Sequence, residues 1–523
     1  MTSVEPAQAG PDGRTSDLRR LARGSSLNLA GSVVAAALNL VLPVIITRSL
    51  AKDDAGLFFQ ATALFTILLN VGTIGADTGV LRSLPRALVL DRRPDLRRYL
   101  VLAVVPAAVF SVLLSVALLL LADPLSRLIT GDGAHAAAFH DVLLVMLPWV
   151  PVAVVYAITM SASRGLDSIR PLVFVEKIGR NALETGAAGT AAVVSGSVAM
   201  VVMAWAAPYL AMLVVVAAWV LRRLRRIDAR RGDRASAATP WAALGREFWG
   251  FSAPRAASRV FTVALQRVDV LVVGALRGPA DAAVYAAATR FLVLGLMFVQ
   301  AIQQVMTPKI SEFLALGENA RAETVYRTTT AWLTLVSWPI YLMAMQFSPL
   351  LLSIFGPGYE RGAVAAGILC AAMLVATACG PVDSMLLMGG RSGLSLMNTG
   401  LALATNVGLD LLLVPHLGIT GAALGWAAAI LVNNLLPLWQ VNRHLSMHPL
   451  GEGTKAALVI CLVSFGVVVG TVRALLGVDL VAFLVAGALG TLTYLALARR
   501  SADALELAAL GSVLKRRRRS SAS

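Results

Sequence analysis

Charged residues are scarce in this chain. Only 14% of its 523 residues are Asp, Glu, Lys or Arg, whereas 58% are hydrophobic, and a soluble domain carries roughly a quarter charged residues. The mean hydropathy of +0.76 applies to the whole chain, so the apolar excess is not confined to a single core. These values exclude a water-soluble fold and predict an integral membrane protein.

Cysteines and catalytic signatures are also few. Cys370, Cys379 and Cys461 all lie in apolar runs, which argues against a disulfide framework and against a thiolate metal site. The sequence contains no G-x-x-x-x-G-K-[ST] phosphate loop, so ATP hydrolysis by this chain is not expected. The predicted outer loops are short, which disfavours a membrane enzyme such as a sugar polymerase or ligase. We therefore predict a protein that is not an enzyme and has no cofactor apart from a coupling ion, Na⁺ or H⁺.

Basic residues outnumber acidic ones, 45 against 29, which gives a net charge of +16. They form short clusters between apolar runs and lack the interleaved aromatics of a nucleic-acid-binding face, so nucleic acid is not an expected partner. Lysine and arginine concentrate in alternate loops, as the positive-inside rule describes for cytoplasmic loops. The pattern predicts a multi-pass membrane protein with both termini in the cytoplasm.

Runs of apolar residues long enough to cross a bilayer, about 20 residues each, divide the chain into about 14 predicted spans. The segments after the first and seventh runs resemble each other weakly, which indicates a parallel repeat. We predict an all-α membrane protein with two pseudo-symmetric six-helix lobes and a C-terminal helix pair. The predicted regions are a cytoplasmic N-terminal tail (1–26), an N-lobe with spans 1–6 (27–221), a basic cytoplasmic linker (222–247), a C-lobe with spans 7–12 (248–441), spans 13–14 (456–498) and a basic cytoplasmic tail (499–523).

Cations within the predicted spans are candidates for a binding site. A charge at the centre of a bilayer costs about 2.5 to 3.5 kcal/mol on insertion scales, so it usually faces the protein interior or a wet cavity. Arginine offers paired donors to phosphate oxygens, and a cluster of such residues predicts a cationic cavity for an anion such as a diphosphate. The candidates are Lys177, Arg180, Arg255, Arg259, Arg267 and Arg290.

Two of these assignments have structural alternatives. Arg255 and Arg259 lie four residues apart near one end of a span, where they could extend to the inner membrane surface instead. Arg180 lies four residues from both Glu176 and Glu184, a spacing at which charges pair along one helix face. That ladder could be self-neutralising.

Three polar residues are candidates for ion coupling. Asp269, Asn406 and Asp410 lie in predicted spans, and the last two are one helical turn apart. Carboxylate and amide oxygens together can bind a small hard cation or carry a proton, so these residues form a candidate sodium site. Alternatively, Asp269 neutralises a nearby arginine, and Asn406 and Asp410 make hydrogen bonds between helices.

Several short segments resemble the polysaccharide (Wzx-type) flippases of the multidrug/oligosaccharidyl-lipid/polysaccharide exporter (MOP) superfamily. The similarity extends over essentially the whole chain and is a pattern, not a single signature. The segments are Asn28-Leu-Ala-Gly-Ser, Arg48-Ser-Leu, Asp54-Ala-Gly-Leu-Phe, Asp269-Val-Leu-Val-Val-Gly, Ala283-Val-Tyr-Ala-Ala-Ala-Thr-Arg290, Pro308-Lys-Ile-Ser, Phe355-Gly-Pro-Gly-Tyr359 and Val414-Pro-His-Leu-Gly-Ile-Thr-Gly-Ala-Ala423.

The resemblance implies a flippase that moves undecaprenyl-diphosphate-linked oligosaccharide units across the bacterial cytoplasmic (inner) membrane by alternating access, for surface polysaccharide assembly. Its expected partners are the polyprenyl-diphosphate-linked glycan, membrane lipids and glycan-assembly enzymes. Asp269, Asn406 and Asp410 match the residue types and spacing of a sodium site in related lipid II flippases. Alternatives within the superfamily are a lipid II flippase and a cation-coupled small-molecule exporter. The lipid II flippases use arginines in their first two spans, which this chain lacks.

Overall fold

The computed structural model describes residues 31–131, 133–166, 170–229, 239–502 and 505. The predicted N-terminal tail, linker residues 230–238 and most of the basic C-terminal tail lie outside this described part. Within it the chain is helical, and the predicted all-α class is confirmed. The first half contains α1 (Gly31–Ser49), α2 (Lys52–Gly72), α3 (Ala76–Val89), α4 (Arg93–Leu120), α5 (Ala122–Thr130), α6 (Ala134–Met146), α7 (Trp149–Gly165), a π-helical segment (Leu172–Arg180), α8 (Asn181–Val194), α9 (Val198–Ala206) and α10 (Pro208–Ala229).

The second half continues with helices of similar length. The C-terminal pair follows them. A second π-helical segment divides its first helix into two parts, and its second helix is uninterrupted. The elements are α11 (Trp241–Arg277), α12 (Pro279–Ala288), α13 (Arg290–Ala315), α14 (Asn319–Gln346), α15 (Ser348–Ser353), α16 (Ala363–Ala378), α17 (Val382–Met388), α18 (Ser392–Leu417), α19 (Ile419–Leu445), α20 (Glu452–Cys461), the segment Leu462–Val468, α21 (Val469–Leu476) and α22 (Leu480–Arg500).

Fewer helices meet strict length and hydropathy criteria for a membrane span than the sequence predicts. Among the described residues, 10 helices are long and apolar enough to cross a membrane, or 11 if the bent pair α6 and α7 forms one span. Helices also occupy the remaining three predicted spans. The segment Leu172–Val194 and α11 contain several charged residues, and α14 is rich in threonine, so their hydropathy is low. The count of about 14 spans therefore remains a prediction.

The linker between the predicted lobes is largely helical in the described part of the chain. α10 continues to Ala229 and α11 begins at Trp241. Most of the described residues of the predicted 222–247 linker therefore belong to these two helices. Arginine is a good helix former, so a cluster of arginines ends a membrane span without ending the helix. The two helices continue past the predicted spans on the face that the charge pattern predicts to be cytoplasmic, which we call the inner face.

The two halves meet closely at the opposite, outer face. A Cβ atom added to Gly56 of α2 would lie only 1.8 Å from the carbonyl oxygen of Pro279, so the two backbones touch. One turn further, Gly274 of α11 packs against the side-chain amide of Gln60, which donates a hydrogen bond to the carbonyl of Ile129 at 2.9 Å. These contacts close the molecule at its outer face.

The halves also touch near the inner face, through the first part of α11. A Cβ atom at Gly79 would lie 2.0 Å from the Ser252 hydroxyl oxygen. Arg86 pairs with Glu247 of α11 at 3.0 Å. Helix α11 therefore contacts the first half of the chain near both membrane faces.

The C-terminal helices pack on α14. The Gln346 side-chain amide donates to the Phe465 carbonyl at 2.6 Å, and the Tyr494 hydroxyl donates to the Leu335 carbonyl at 3.1 Å. Trp332 donates to the carbonyl of Leu505 at 3.2 Å. The pair is thus attached to the second half, as a unit outside the predicted repeat.

Candidate functional site

A cavity of about 450 Å³ lies between the two halves. Its lining is chemically uneven. The first half contributes most of the lining, from α1, α2, α3, α7, α8, α9, α10 and the segment Leu172–Arg180, with polar, aromatic, apolar and acidic side chains and two arginines. The second half contributes three residues, all arginines: Arg259, Arg267 and Arg290.

Arg267 and Arg290 are two cations of this cavity for which the described residues provide neither an ion pair nor a side-chain hydrogen bond. Arg267 lies on α11, and Arg290 is the first residue of α13. The Arg290 guanidinium lies 5.3 Å from the ring centre of Phe59, and its buried Nε has no hydrogen-bond partner. In the described part of the chain, no carboxylate lies within ion-pairing distance of either arginine. The two cations repel each other, so an anion bound between them would lower the electrostatic energy.

The other two arginines of α11 have different positions. Arg259 lines the cavity and its Nε donates to the Asn70 side-chain oxygen at 3.0 Å. Arg255 is exposed and does not line the cavity. It lies over the ring of Phe251, which Arg82 also contacts. The geometry at Arg255 thus resembles the surface alternative that the sequence left open.

Arg180 lines the cavity as part of a self-paired cluster. Its guanidinium pairs with Glu176 at 3.0 Å and with Glu184, and it donates to the Tyr209 hydroxyl oxygen at 3.3 Å. The Tyr156 hydroxyl donates to Glu176 at 2.5 Å. The two carboxylates offset the positive charge of Arg180, so it adds little net attraction for an anion.

Lys177, the remaining cationic candidate, is directed toward α1. Its Nζ donates to the Ser32 hydroxyl oxygen at 2.5 Å, and it is not among the residues that line the cavity. Of the six predicted cations, four therefore line the cavity, and two, Lys177 and Arg255, lie outside it.

The three ion-coupling candidates come together in a buried cluster within the second half. Asp269 is 4% exposed, and Asn406 and Asp410 are fully buried. The Asn406 side-chain nitrogen donates to Asp410 at 3.4 Å, the Tyr285 hydroxyl donates to Asp269 at 2.7 Å, and Asp269 and Asp410 are close enough to interact electrostatically. This cluster lies outside the cavity lining.

One oxygen of each of these three side chains is buried without a hydrogen-bond partner. Unpartnered buried oxygens are costly, and three convergent ones suit a small hard cation such as sodium. Among the described residues, no group of three or more His, Cys, Asp or Glu could hold a metal ion. The donor set therefore fits an alkali cation or a shared proton better than a transition metal.

Several cavity residues were not predicted from the sequence. Arg164 and Asp77 line the cavity. Arg164 follows the predicted fourth span and Asp77 lies near the end of the second, and neither is among the predicted site residues. Thr62, Thr66 and Asn70 also line it. Their spacing of four residues places them on one helix face. This pattern is visible in the sequence but involves no ionisable group.

The fold and cavity can now be compared with those of known proteins. The inward closed conformation of the lipid II flippase MurJ superposes with a TM-score of 0.68 at 14% identity, covering 91% of this chain and 99% of that one. An inward-facing multidrug resistance transporter of the MATE family, in the MOP superfamily, gives a TM-score of 0.63 at 15% identity, covering 81% and 99%. The chain thus shares the fold of these two proteins.

The sequence identifies the family within that fold class. Residues 21–314 match the polysaccharide biosynthesis protein family, and residues 254–411 also match the MatE family. This chain belongs to the polysaccharide biosynthesis protein family. It is also similar to a probable low-salt glycan biosynthesis flippase of Haloferax volcanii, with 21% identity over 451 residues that cover 85% of this chain and 89% of the relative. The expected resemblance to MOP-superfamily flippases is confirmed.

Proposed function

We propose that this protein is a flippase that moves diphosphate-linked oligosaccharide lipids, with a polyprenyl carrier such as undecaprenol, across a bacterial cytoplasmic membrane for surface polysaccharide assembly. The observation that carries the proposal is the pair Arg267 and Arg290, which face the cavity without an acidic partner in the described chain. Arginine binds phosphate oxygens with paired hydrogen bonds. The cavity therefore suits a lipid whose headgroup begins with a diphosphate.

The comparisons support the saccharide part of this proposal. The family is described as polysaccharide biosynthesis proteins, and the archaeal relative is named a glycan biosynthesis flippase. The proposed partners are membrane lipids and the enzymes that assemble the glycan and deliver it at the inner face. Both termini are proposed to lie in the cytoplasm, where the positive-inside rule places clusters of arginine.

Two other substrate classes agree less well with the cavity. The residues that α1 and α2 contribute to its lining include no arginine or lysine, in contrast to the arginines that lipid II flippases use in their first two spans. A cationic drug would be repelled by Arg267 and Arg290, which disfavours a multidrug exporter.

Deletion of the gene tests the proposed function. Complete diphospholipid-linked units should accumulate on the cytoplasmic leaflet, and the surface glycan should disappear, because the units no longer cross the membrane. The measurement is the leaflet distribution of the lipid-linked sugars together with the amount of surface glycan. Completed units that reach the outer face at the normal rate, with an intact surface glycan, would contradict the proposal.

We further propose that Asp269, Asn406 and Asp410 bind the coupling ion. Replacement of Asp410 by asparagine removes one anionic ligand, so the dependence of the transport rate on sodium or on pH should be lost. The initial rate in reconstituted vesicles, measured over a series of sodium concentrations and pH values, checks this. Asp383→Asn is the matched control, because Asp383 is exposed and accepts a hydrogen bond from Ser395. An unchanged ion dependence in Asp410→Asn would count against the site.

A further inference from the structure

A stripe of polar side chains runs along α2 and its C-terminal cap, beside the apolar cavity residues Phe58, Phe59 and Leu69. Thr62, Thr66, Asn70 and Thr73 follow one another at intervals of four, four and three residues, so they share one face of the helix. All four line the cavity. We call these four residues the acceptor stripe, because their hydrogen bonds leave oxygen atoms available as acceptors.

Each threonine hydroxyl of the acceptor stripe uses its proton within α2. Thr62 donates to the Phe59 carbonyl at 3.1 Å, Thr66 to the Thr62 carbonyl at 2.7 Å, and Thr73 to the Asn70 carbonyl at 2.9 Å. A hydroxyl has one proton and two lone pairs, so with its proton used in this way each oxygen is available to accept a further hydrogen bond.

The amide of Asn70 is only partly committed, because its nitrogen has two N–H groups and one of them donates within α2. Its nitrogen donates to the Thr66 carbonyl at 2.8 Å, and its oxygen accepts the bond from Arg259 across the cavity. The carboxylates of the cavity, on Glu176, Glu184 and Asp77, also belong to the first half of the chain. The first half thus lines the cavity with the acceptor stripe and with all three of its carboxylates, beside Arg164 and Arg180, whereas the second half contributes only arginines.

We infer that the acceptor stripe is the subsite for the hydroxyl groups of the saccharide, and that the diphosphate lies across the cavity against Arg267 and Arg290. A diphosphate has only acceptor oxygens, so it would receive a hydrogen bond from these hydroxyls only if their bonds within α2 were broken, whereas Arg267 and Arg290 offer donors directly. Sugar hydroxyls donate readily to such oxygens. The inference rests on the proposed function and adds the orientation of the headgroup.

The test compares two lipids on purified, full-length protein. The probes are undecaprenyl diphosphate and an undecaprenyl-diphosphate-linked disaccharide, and the measurement is the Kd of each. The double variant Thr62→Val and Thr66→Val keeps the side-chain shape and removes two acceptors. Its affinity for the disaccharide lipid should fall about tenfold, as expected for two lost hydrogen bonds, with no change for undecaprenyl diphosphate. That unchanged affinity also shows that the variant is folded.

The control variant is Thr62→Ser with Thr66→Ser, which retains both hydroxyls and should bind the disaccharide lipid like the wild type. An unchanged affinity of the valine variant for the disaccharide lipid would overturn the subsite and leave the proposed function standing. Equal losses for the two lipids would do the same, because they indicate general damage to the cavity. If the wild type binds neither lipid, the proposed function fails and the subsite fails with it.

Discussion

Replacement of both Arg267 and Arg290 by alanine is expected to lower the affinity for undecaprenyl diphosphate and its glycosylated forms at least about a hundredfold. Hydrogen bonds to charged groups contribute roughly 1.5 to 3 kcal/mol each, and every 1.4 kcal/mol corresponds to about a factor of ten. The loss should be the same for lipids with and without sugar, because both carry the diphosphate. Lipid binding to purified protein and transport in reconstituted vesicles measure it.

Arg255→Ala provides the matched control for this double variant. Arg255 lies on the same helix as Arg267, but it is exposed and stacked on Phe251 outside the cavity lining. We expect it to leave lipid binding close to that of the wild type. A double alanine variant that reaches the membrane in normal amounts and still transports the lipid at the wild-type rate would show that the arginine pair does not hold the diphosphate.

Gly56→Val is expected to destabilise the conformation described here and to open its outer face. The new side chain would overlap the backbone of Pro279, whose carbonyl oxygen lies 1.8 Å from the position of a Cβ. Backbone atoms cannot rotate away as a side chain can, so the cost is about 3 kcal/mol or more. That cost shifts the conformational equilibrium away from this state roughly a hundredfold.

The change can be followed with a cysteine introduced at Thr66 in the cavity. The native cysteines Cys370, Cys379 and Cys461 are buried, so their background labelling should be low. A membrane-impermeant thiol reagent added at the outer face should react faster with Thr66→Cys when Gly56→Val is present. Gly186→Val is the control, because a Cβ there has no neighbouring atom within 4 Å. Equal labelling rates in the presence and absence of Gly56→Val would refute closure at this contact.

Much of the fold could be predicted from hydropathy, because apolar runs of sufficient length must become helices in a bilayer. The helix boundaries were harder to predict. α10 continues through its arginines to Ala229, since arginine ends a hydrophobic run without ending the helix. The approach of Gly56 to Pro279 was not predictable, because pattern alone does not show which glycines face another backbone.

The candidate site was predictable where charge was the signal. Glu176, Arg180 and Glu184 form the ladder that their spacing indicates. The sequence does not show that Arg267 lines the cavity and Arg255 does not. This difference depends on which face of α11 turns toward the first half. The acceptor stripe could not be found from charge, because threonine is uncharged. Its proposed role depends on which atom accepts the proton of each hydroxyl in the structure.

The charges of the cavity also have an electrical consequence. Without substrate, the five arginines and three carboxylates that line the cavity leave an excess of two positive charges. A bound diphosphate ester, with about two negative charges, would make the loaded cavity nearly neutral. Moving one charge through the full membrane field involves about 2.3 kcal/mol per 100 mV. A cell interior at negative voltage would therefore hold the empty carrier toward the cytoplasm, ready to load, and would oppose the outward movement of the loaded carrier very little.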